Sequence, residues 1–390
     1  MSQSIVIVSA ARTPLGSFQG KLKGFSAPAL GSAAIKAAVE RAGIAVDETD
    51  EVLMGCVLPA GVGQAPARQA AIGAGIPFAT GCTTVNKVCG SGMKAAMLGH
   101  DAILAGSARV VVAGGMESMS NAPYLLAKAR SGYRLGHGQI YDHMFLDGLE
   151  DAYDKGCLMG KFAEDTAGKY QFTRGEQDAF AVESLVRAKR AATGGVFARE
   201  IAPVTVDGED IAADEAPTRA DPAKIPKLKP AFREGGTVTA ANSSSISDGA
   251  AALVLMSESD AEKRGLRPLA RIVGHAMHAQ EPQWFTTAPV GAIAKLLERI
   301  GWTKDEVDLY EINEAFAVVT MVTMRELGLP HDKVNVNGGA AALGHPIGAS
   351  GARIVVTLLN ALETRGLKRG VASLCIGGGE ATALAIERMM

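Results

Sequence analysis

The sequence predicts an α/β protein made of two similar halves, with an inserted region between them. Three observations support this class: strand-like apolar runs alternate with helical patterns, short features recur at a nearly constant distance, and the middle of the chain loses both patterns. The chain has 390 residues, of which 47% are hydrophobic. That length suits two domains or one large duplicated unit, and the composition suffices for a sizeable core.

The predicted strands are almost continuously apolar, as expected for a sheet that is buried on both faces. Apolar runs predict strands, and 3.6-residue periodicity predicts helices. In the first half this gives strands over 5–9, 51–55 and 110–113 and helices over 27–42 and 93–105. In the second half it gives strands over 309–312 and 371–376 and helices over 290–300 and 352–365.

The chain also repeats short features in order, which indicates a duplication. Matching pairs are Glu40–Gly43 with Glu298–Gly301 and Asp50 with Asp308 at 258 residues, Ser91–Gly92 with Ser350–Gly351 at 259, and Arg109–Glu117 with Ala372–Glu380 at 263. On these offsets Cys89 corresponds to Gly348, Asn86 to His345, and Cys375 to Val112. If the halves pack about a pseudo-twofold axis, their helix N-termini and strand C-termini face one another, where α/β sheets bind ligands.

The middle of the chain, residues 118–247, reads as an inserted loop domain for substrate binding and assembly. It is rich in Gly, Tyr, His and Met over 131–154 and polar with five prolines over 202–230. Long irregular insertions usually bind or assemble. Within it, 173–190 predicts an amphipathic helix that begins with a Thr173–Glu176 capping box. We therefore predict an N-terminal half over 1–117, completed by about 248–268, and a C-terminal half over 269–390.

Charge and cysteine usage exclude several classes of protein. The formal net charge is −2, so nothing indicates a nucleic-acid partner. The first apolar run is too short for a membrane span and reads as a strand. The five cysteines are odd in number and widely spaced, and they form neither a disulfide framework nor a Cys-x-x-Cys zinc motif. We expect a cytoplasmic protein with no membrane partner and no metal site.

One cysteine stands in a reactive setting. Residues 85–92 read Val-Asn-Lys-Val-Cys-Gly-Ser-Gly, so Cys89 lies in a glycine-rich turn just before a helix. A helix N-terminus favours the thiolate, which is the reactive form of cysteine, and we expect a lowered pKa for Cys89. Taken alone, Cys89 is equally well explained as a small buried residue in a tight turn.

Two further motifs near the C-terminus favour the catalytic interpretation. His345 lies in a glycine-rich loop, and a histidine there can take the proton of a nearby thiol. Cys375 precedes three glycines, whose N–H groups are free to bind an oxyanion, and its thiol can serve as acid or base. Each residue alone has a structural explanation, but the three together are hard to explain without catalysis.

These residues resemble the thiolase family. The motifs are Val85–Gly92, Asn313-Glu-Ala-Phe-Ala, Gly344-His345-Pro and Cys375-Ile-Gly-Gly-Gly, and the resemblance covers essentially the whole chain. It implies a thiolase fold with duplicated halves in five αβαβα layers and an inserted loop domain. It also implies reversible Claisen chemistry on acyl-CoA, usually by a homotetramer, with coenzyme A thioesters as substrates and no separate cofactor.

The resemblance implies a role for each motif residue. Cys89 is the nucleophile that carries the acyl group, and His345 activates it. Cys375 removes the α-proton of the second acetyl-CoA in synthesis and protonates the leaving carbanion in thiolysis. One oxyanion hole uses His345 and a water held by Asn313, and the other uses the N–H groups of Cys89 and Gly377.

The resemblance also implies substrate-binding residues. Ser244 aligns with the serine that meets the pantetheine arm, and Arg219 is expected at the CoA nucleotide. The expected wall of the acyl site consists of Leu158, Met159, Phe232, Phe285 and Phe316. Many short-chain biosynthetic thiolases have His where Leu158 stands and Met where Phe285 stands, so both departures bear on chain length.

The predicted function is condensation of two acetyl-CoA to acetoacetyl-CoA, or the reverse thiolysis, by a ping-pong acyl-cysteine mechanism. The main alternative is a degradative 3-ketoacyl-CoA thiolase for longer or modified chains. A decarboxylating ketoacyl synthase would need a second catalytic histidine. A papain-like hydrolase would not need Cys375 and its glycines, and a non-catalytic scaffold would be expected to lose one of Cys89, His345 and Cys375.

Overall fold

The computed structural model describes residues 3–389, which form a mixed α/β structure. Its strands are β1 (Ile5–Arg12), β2 (Gly16–Ser17), β3 (Glu51–Gly55), β4 (Gly81–Val85), β5 (Val110–Ser118), β6 (Tyr124–Leu126), β7 (Ile140–Asp142), β8 (Val204–Val206), β9 (Glu209–Ile211), β10 (Ser247–Ser257), β11 (Ala270–Ala279), β12 (Leu309–Ile312), β13 (Arg369–Ile376) and β14 (Glu380–Arg388). Its helices are α1 (Ala27–Ala42), α2 (Pro66–Gly73), α3 (Ser91–Leu104), α4 (Met159–Tyr170), α5 (Arg174–Thr193), α6 (Glu215–Arg219), α7 (Glu258–Lys263), α8 (Ala288–Ile300), α9 (Ala317–Leu327), α10 (Ala340–Leu343) and α11 (Ile347–Thr364). Among the described residues, no helix is long and apolar enough to cross a bilayer.

Two half-sheets share a four-strand plan, and the first has one additional edge strand, β4. The first has the order β4-β3-β5-β10-β1, and the second has the order β12-β13-β14-β11. The equivalent parallel pairs are β3 with β5 and β12 with β13, and β4 adds a second parallel pair with β3. The pairs on the other side of β5 and β13 are antiparallel. The two half-sheets join through three residue pairs between β1 and β11.

The helices and the two half-sheets stack in five layers around three apolar cores. Helices α1 and α2 pack on the outer face of the first half-sheet, and α8 packs on the outer face of the second. Helices α3 and α11 share the central core with the inner faces of both. They cross closely, because a Cβ atom on Gly92 would lie 2.8 Å from the Ala352 nitrogen and one on Gly351 would lie 2.3 Å from the Met93 nitrogen.

The duplication is visible in matching local structure. Helices α1 and α8 both end at a left-handed glycine with φ of 69°, Gly43 and Gly301. Asp50 accepts hydrogen bonds from the two backbone N–H groups that begin β5, and Asp308 does the same at the start of β13.

One predicted match between the halves is wrong. Val112 lies opposite Val52 in the first half-sheet, and Val371 lies opposite Tyr310 in the second. Val112 therefore corresponds to Val371 at 259 residues rather than to Cys375 at 263, and Cys375 corresponds to Met116. The glycine runs that suggested 263 end the two strands at different points, because β5 continues to Ser118 whereas β13 turns after Ile376.

The inserted region contains more regular structure than the sequence predicts. Helices α4 and α5 and two short ribbons, β6–β7 and β8–β9, form within it. Helix α5 begins as predicted, since the Thr173 hydroxyl accepts from the Glu176 amide and the Glu176 carboxylate accepts from the Thr173 amide. Helix α4 contributes Phe162 to an apolar cluster that also contains Phe285, Phe316 and Cys375. The insertion therefore packs directly against the end of the second half-sheet.

Candidate active site

The turn that carries Cys89 connects β4 to α3. Val88 in this turn has a left-handed conformation with φ of 44°, which is strained for a β-branched residue. The Ser91 hydroxyl holds the turn, because it accepts from the Lys87 amide at 2.8 Å and donates to the Val88 carbonyl at 2.6 Å. The turn places the partly buried Cys89 in the wall of a cavity.

The Cys89 thiol is protonated in this setting. Burial raises the pKa of Cys89 to about 11, although the backbone N–H groups of Gly377 and of Cys89 itself oppose the shift. The expectation of a lowered pKa is therefore wrong. Cys89 precedes the first residue of α3 by two positions, and the loss of hydration outweighs the helix dipole there. Deprotonation must come from a neighbouring base.

His345 is a buried neutral imidazole suited to that task. Its Nδ1 lies 2.6 Å from the Ser350 hydroxyl, which donates its own proton to the Pro346 carbonyl at 2.9 Å. Because Ser350 has one proton to donate, Nδ1 carries the ring proton and Nε2 is left as an acceptor. Burial and the nearby Arg353 charge lower the pKa of His345 to about 3, which keeps the ring neutral.

Asn313 follows β12 and faces the same ring nitrogen. Its Nδ2 lies 3.5 Å from His345 Nε2, and its Oδ1 accepts from Arg353 at 3.4 Å. Arg353 only donates hydrogen bonds, so the amide oxygen must face it and the amide N–H groups face His345. Arg353 is itself held by Glu311 at 3.0 Å. Arg353 thus fixes the orientation of the Asn313 amide.

Cys375 lies at the end of β13, directly before the glycine turn. It is buried, and its burial and the neighbouring Cys89 raise the pKa of its thiol well above the ordinary value. The turn that follows uses left-handed glycines, Gly378 and Gly379, with φ of 91° and 90°. This conformation lets the chain reverse into β14 while the Gly377 amide points at the Cys89 sulfur.

These groups meet at a largely apolar cavity of about 330 Å³. Its walls come from the ends of both half-sheets and from the insertion. The residues that line it are Cys89, Met119, Phe145, Gly148, Leu149, Leu158, Met159, Gly160, Ala231, Phe232, Ala240, Ser243, Ser244, Ser245, Ile246, Phe285, Ala315, Phe316, His345, Ile347 and Gly377.

Comparison with known proteins assigns the family. The sequence profile described as "Thiolase, N-terminal domain" matches residues 5–259, and that described as "Thiolase, C-terminal domain" matches residues 266–388. The chain belongs to the thiolase family. It is 53% identical to acetyl-CoA acetyltransferase 2 of Arabidopsis thaliana, with 99% of this chain and 97% of the relative covered. It is 50% identical to an acetyl-CoA acetyltransferase of Pseudomonas aeruginosa, with 99% and 100% covered.

A solved structure shows the same fold. The Acat5 thiolase from Ascaris suum, crystallised in complex with coenzyme A, superimposes with a TM-score of 0.95 at 44% identity, covering 99% of this chain and 100% of that one. The predicted thiolase fold, with its duplicated α/β halves, is therefore confirmed.

The structure of this thiolase gathers most of the predicted site residues at one place. Cys89, His345, Gly377, Ser244, Leu158, Met159, Phe232, Phe285 and Phe316 all line the cavity. Asn313 contacts His345, which lines the cavity. Cys375 lies in the apolar cluster that contains Phe285 and Phe316. Arg219 is not at the cavity: it is exposed on α6 and pairs with Glu215 at 2.7 Å.

Two buried carboxylates that support the site were missed. Glu117 accepts from the amides of Val57, Leu58 and Gly348, so it ties the start of α11 to the first half. Burial raises the pKa of Glu117 to about 7. The sequence did contain one sign of this role, because Glu117 ends a buried apolar strand, where a charged residue needs hydrogen-bond partners.

Glu314 is the second missed carboxylate, and it directly follows Asn313. It accepts from Asn335 Nδ2 at 2.8 Å, from the Ser184 hydroxyl at 2.7 Å and from the Ala341 amide at 3.1 Å. These bonds join the loop after β12 to the insertion and to the loop before His345. The sequence motif pointed to Asn313 but gave no sign of these distant partners.

Proposed function

We propose that this thiolase catalyses the reversible condensation of two acetyl-CoA molecules to acetoacetyl-CoA and coenzyme A through an acetyl-Cys89 intermediate. The observation that carries the proposal is the meeting of Cys89, His345 and the Gly377 amide at one apolar cavity, with Cys375 behind it. Relatives named acetyl-CoA acetyltransferases, about half identical over nearly the whole chain, support the substrate class.

In the first half-reaction, His345 Nε2 takes the proton of the Cys89 thiol as the sulfur attacks the thioester carbonyl. The amides of Cys89 and Gly377 already point at this sulfur, so they can donate to the oxyanion that forms beside it. Collapse of the tetrahedral intermediate breaks the bond to the sulfur of coenzyme A. Cys375 gives that sulfur its proton, since its raised pKa keeps it protonated beforehand.

In the second half-reaction, the Cys375 thiolate removes an α-proton from the second acetyl-CoA. A thiol whose pKa is raised by burial gives a strong base, which suits this weak carbon acid. The enolate oxygen is stabilised by the His345 imidazolium, with Asn313 beside it. The enolate carbon then attacks acetyl-Cys89, and the departing Cys89 thiolate recovers its proton from His345.

The aromatic wall favours short acyl groups. Phe285 and Phe316 meet edge to face with ring centroids 6.5 Å apart, and Phe232 meets Phe316 in the same way at 5.9 Å. Phe162 backs Phe285 at 6.3 Å. Rigid rings packed on one another leave little room for an acyl chain to displace them. This observation favours acetoacetyl-CoA over longer 3-ketoacyl chains.

The decisive experiment measures thiolysis of acetoacetyl-CoA beside 3-ketohexanoyl-CoA and longer homologues. We expect rapid loss of the 3-ketoacyl absorbance with the four-carbon substrate only. Comparable cleavage of longer chains would favour the degradative alternative. No cleavage of any of them, with Cys89 still alkylated by iodoacetamide, would overturn the substrate class while leaving the reactive thiol in place.

A second experiment separates the roles of the two cysteines. Cys375→Ser should still form the acetyl adduct on Cys89, seen by intact mass spectrometry, but more slowly, because the departing coenzyme A must take its proton from water; it should lose condensation. Cys82→Ser, at a partly exposed cysteine on β4 outside the cavity, is the matched control and should keep both. Absence of the adduct on the native chain would contradict the acyl-cysteine mechanism.

We also propose a homotetramer in a reducing, cytoplasmic compartment. The β6–β7 ribbon of the insertion exposes Tyr124, Leu126 and Ile140, an apolar surface that suits contact with further copies. All five cysteines are free, which suits a reducing compartment. Light scattering should give four times the monomer mass, and Leu126→Asp should lower it. Cell fractionation should place the chain in the cytosol.

A further inference from the structure

Two histidines and an aspartate meet where the two halves of the chain touch. His100 and Asp101 lie on α3, and His275 lies on β11 of the other half. His100 is about 13 Å along the helix axis from Ser91, where α3 begins beside Cys89. None of the three lines the active-site cavity. They form a cluster that the catalytic mechanism does not use.

The ligand atoms of these side chains converge. Asp101 Oδ1 lies 3.1 Å from His100 Nδ1 and 2.9 Å from His275 Nε2, and one atom from each residue lies within 4.8 Å of the others. The two rings meet edge to face with centroids 5.1 Å apart. Successive residues on a helix normally point about 100° apart, so the convergence of His100 and Asp101 on His275 is a specific arrangement.

The cluster is preorganised and open to solvent on one side. The side chains of His100 and His275 are 12% and 15% exposed, whereas that of Asp101 is 50% exposed. Burial lowers the pKa of His275, and hydrogen bonds from both histidines lower the pKa of Asp101 against the effect of its own burial. The cluster therefore presents two mostly buried imidazole rings and a carboxylate that is open to solvent.

We propose that a zinc-like divalent cation binds to His100, Asp101 and His275. The ion would thereby link α3 of the first half to β11 of the second half. Two imidazoles and one carboxylate form a donor set that zinc accepts, with ligand distances of about 2.0–2.2 Å and water in the open position. The ion takes the place of the two N–H protons between the rings and the carboxylate. The proton displaced from the coordinating nitrogen of each ring moves to the other ring nitrogen or to solvent.

Neighbouring positive charges bear on the affinity. Lys94 lies close enough to His275 to contribute to its lowered pKa, and Arg299 donates to the His275 carbonyl at 2.8 Å. Both disfavour a cation, and the Asp101 carboxylate opposes them. A chain with Lys94→Gln should therefore bind the ion more tightly than the native chain.

The experiment uses the full-length chain after chelation and dialysis. Zinc is added in competition with a chromophoric chelator, and thermal unfolding is followed with and without zinc. We expect one zinc per chain and a rise in Tm with zinc, because an ion that binds only the folded state stabilises it. His275→Gln and His100→Gln should each lose about tenfold or more in affinity and lose the rise in Tm. His137→Gln, at an exposed histidine outside the cluster, is the matched control and should keep both.

Cobalt distinguishes this cluster from the cysteines, which also bind zinc. A cobalt complex of His100, Asp101 and His275 should show visible d–d bands without the strong sulfur-to-cobalt band of a thiolate. Thiolysis by the metal-free His275→Gln chain should remain close to native, which verifies folding. An unchanged affinity in both histidine variants, a sulfur-to-cobalt band, or no saturable binding below about millimolar zinc would each overturn the proposal.

Discussion

Removal of the Phe285 ring should change which acyl chains this thiolase cleaves. The side chain is 3% exposed and stands between the cavity and the Phe162 ring. Phe285→Ala replaces the ring by a methyl group and extends the cavity toward Phe162. We expect kcat/KM for 3-ketohexanoyl-CoA to rise relative to that for acetoacetyl-CoA.

The magnitude follows from the added apolar contact. Six-carbon chains exceed four-carbon chains by two methylenes, each worth about 0.8 kcal/mol when fully buried. Two of them give about 1.6 kcal/mol, or about a fifteenfold rise in the ratio of kcat/KM for the longer over the shorter substrate. The same change removes buried packing, so a loss of about 3–5 kcal/mol in the free energy of unfolding is expected with it.

The assay compares kcat/KM for the two substrates in native, Phe285→Ala and Phe180→Ala chains. Phe180 is the matched control, because it is 6% exposed and lies outside the cavity. Its loss should lower stability similarly and leave the substrate ratio unchanged. A ratio that stays constant in a folded Phe285→Ala chain, or that moves equally in both variants, would refute the role of Phe285 as the end wall.

Three further predictions follow from the site. Cys89→Ser should lose more than about a thousandfold in thiolysis and form no acetyl adduct, because a hydroxyl is a far weaker acid than a thiol; an active serine variant would exclude Cys89 as the nucleophile. Ser350→Ala should lower kcat about tenfold to a hundredfold with KM little changed, because Nδ1 of His345 loses the partner that fixes its tautomer; Ser350→Thr keeps the hydroxyl and should restore kcat, and failure to do so would contradict this role. The free energy of unfolding should fall as pH rises from about 4.5 through about 7, since the raised pKa of Glu117 means that the folded state binds this proton more tightly than the unfolded state. Denaturant unfolding of Glu117→Gln should show a flatter dependence of the unfolding free energy on pH. An unchanged pH dependence in that variant would contradict the prediction.

Much of the fold could be predicted from local pattern. Strands β3 and β12 and helix α1 have the predicted bounds, because buried apolar runs and capped amphipathic helices are local features. The end of β13 at Ile376 was predicted, whereas β5 continues to Ser118, past its predicted end at residue 113, because glycine runs resemble one another whether a strand continues or turns. That ambiguity produced the wrong match between Cys375 and Val112. The helix α4 was also missed, since its apolar positions are interrupted and it is stabilised by packing on α9 and on residues 282–287.

The candidate site could be predicted in part for the same reason. The motifs around Cys89, His345 and Cys375 are short and contiguous, so the sequence displays them directly. The raised pKa of Cys89 could not be predicted, because desolvation depends on everything that surrounds the sulfur. The partners of Glu117 and Glu314 come from loops far apart in the chain. The expected contact of Arg219 with the CoA nucleotide stays a prediction.

The sequence by itself determined the duplicated α/β plan, the family and the reactive groups, because each depends on residue types at short or constant spacing. Only the tertiary structure decided the protonation state of those groups, the aromatic end of the cavity and the meeting of His100 and Asp101 with His275. Asp101 and His275 lie 174 residues apart in the sequence. Burial and proximity across such distances are properties of the packed halves, and no local pattern encodes them.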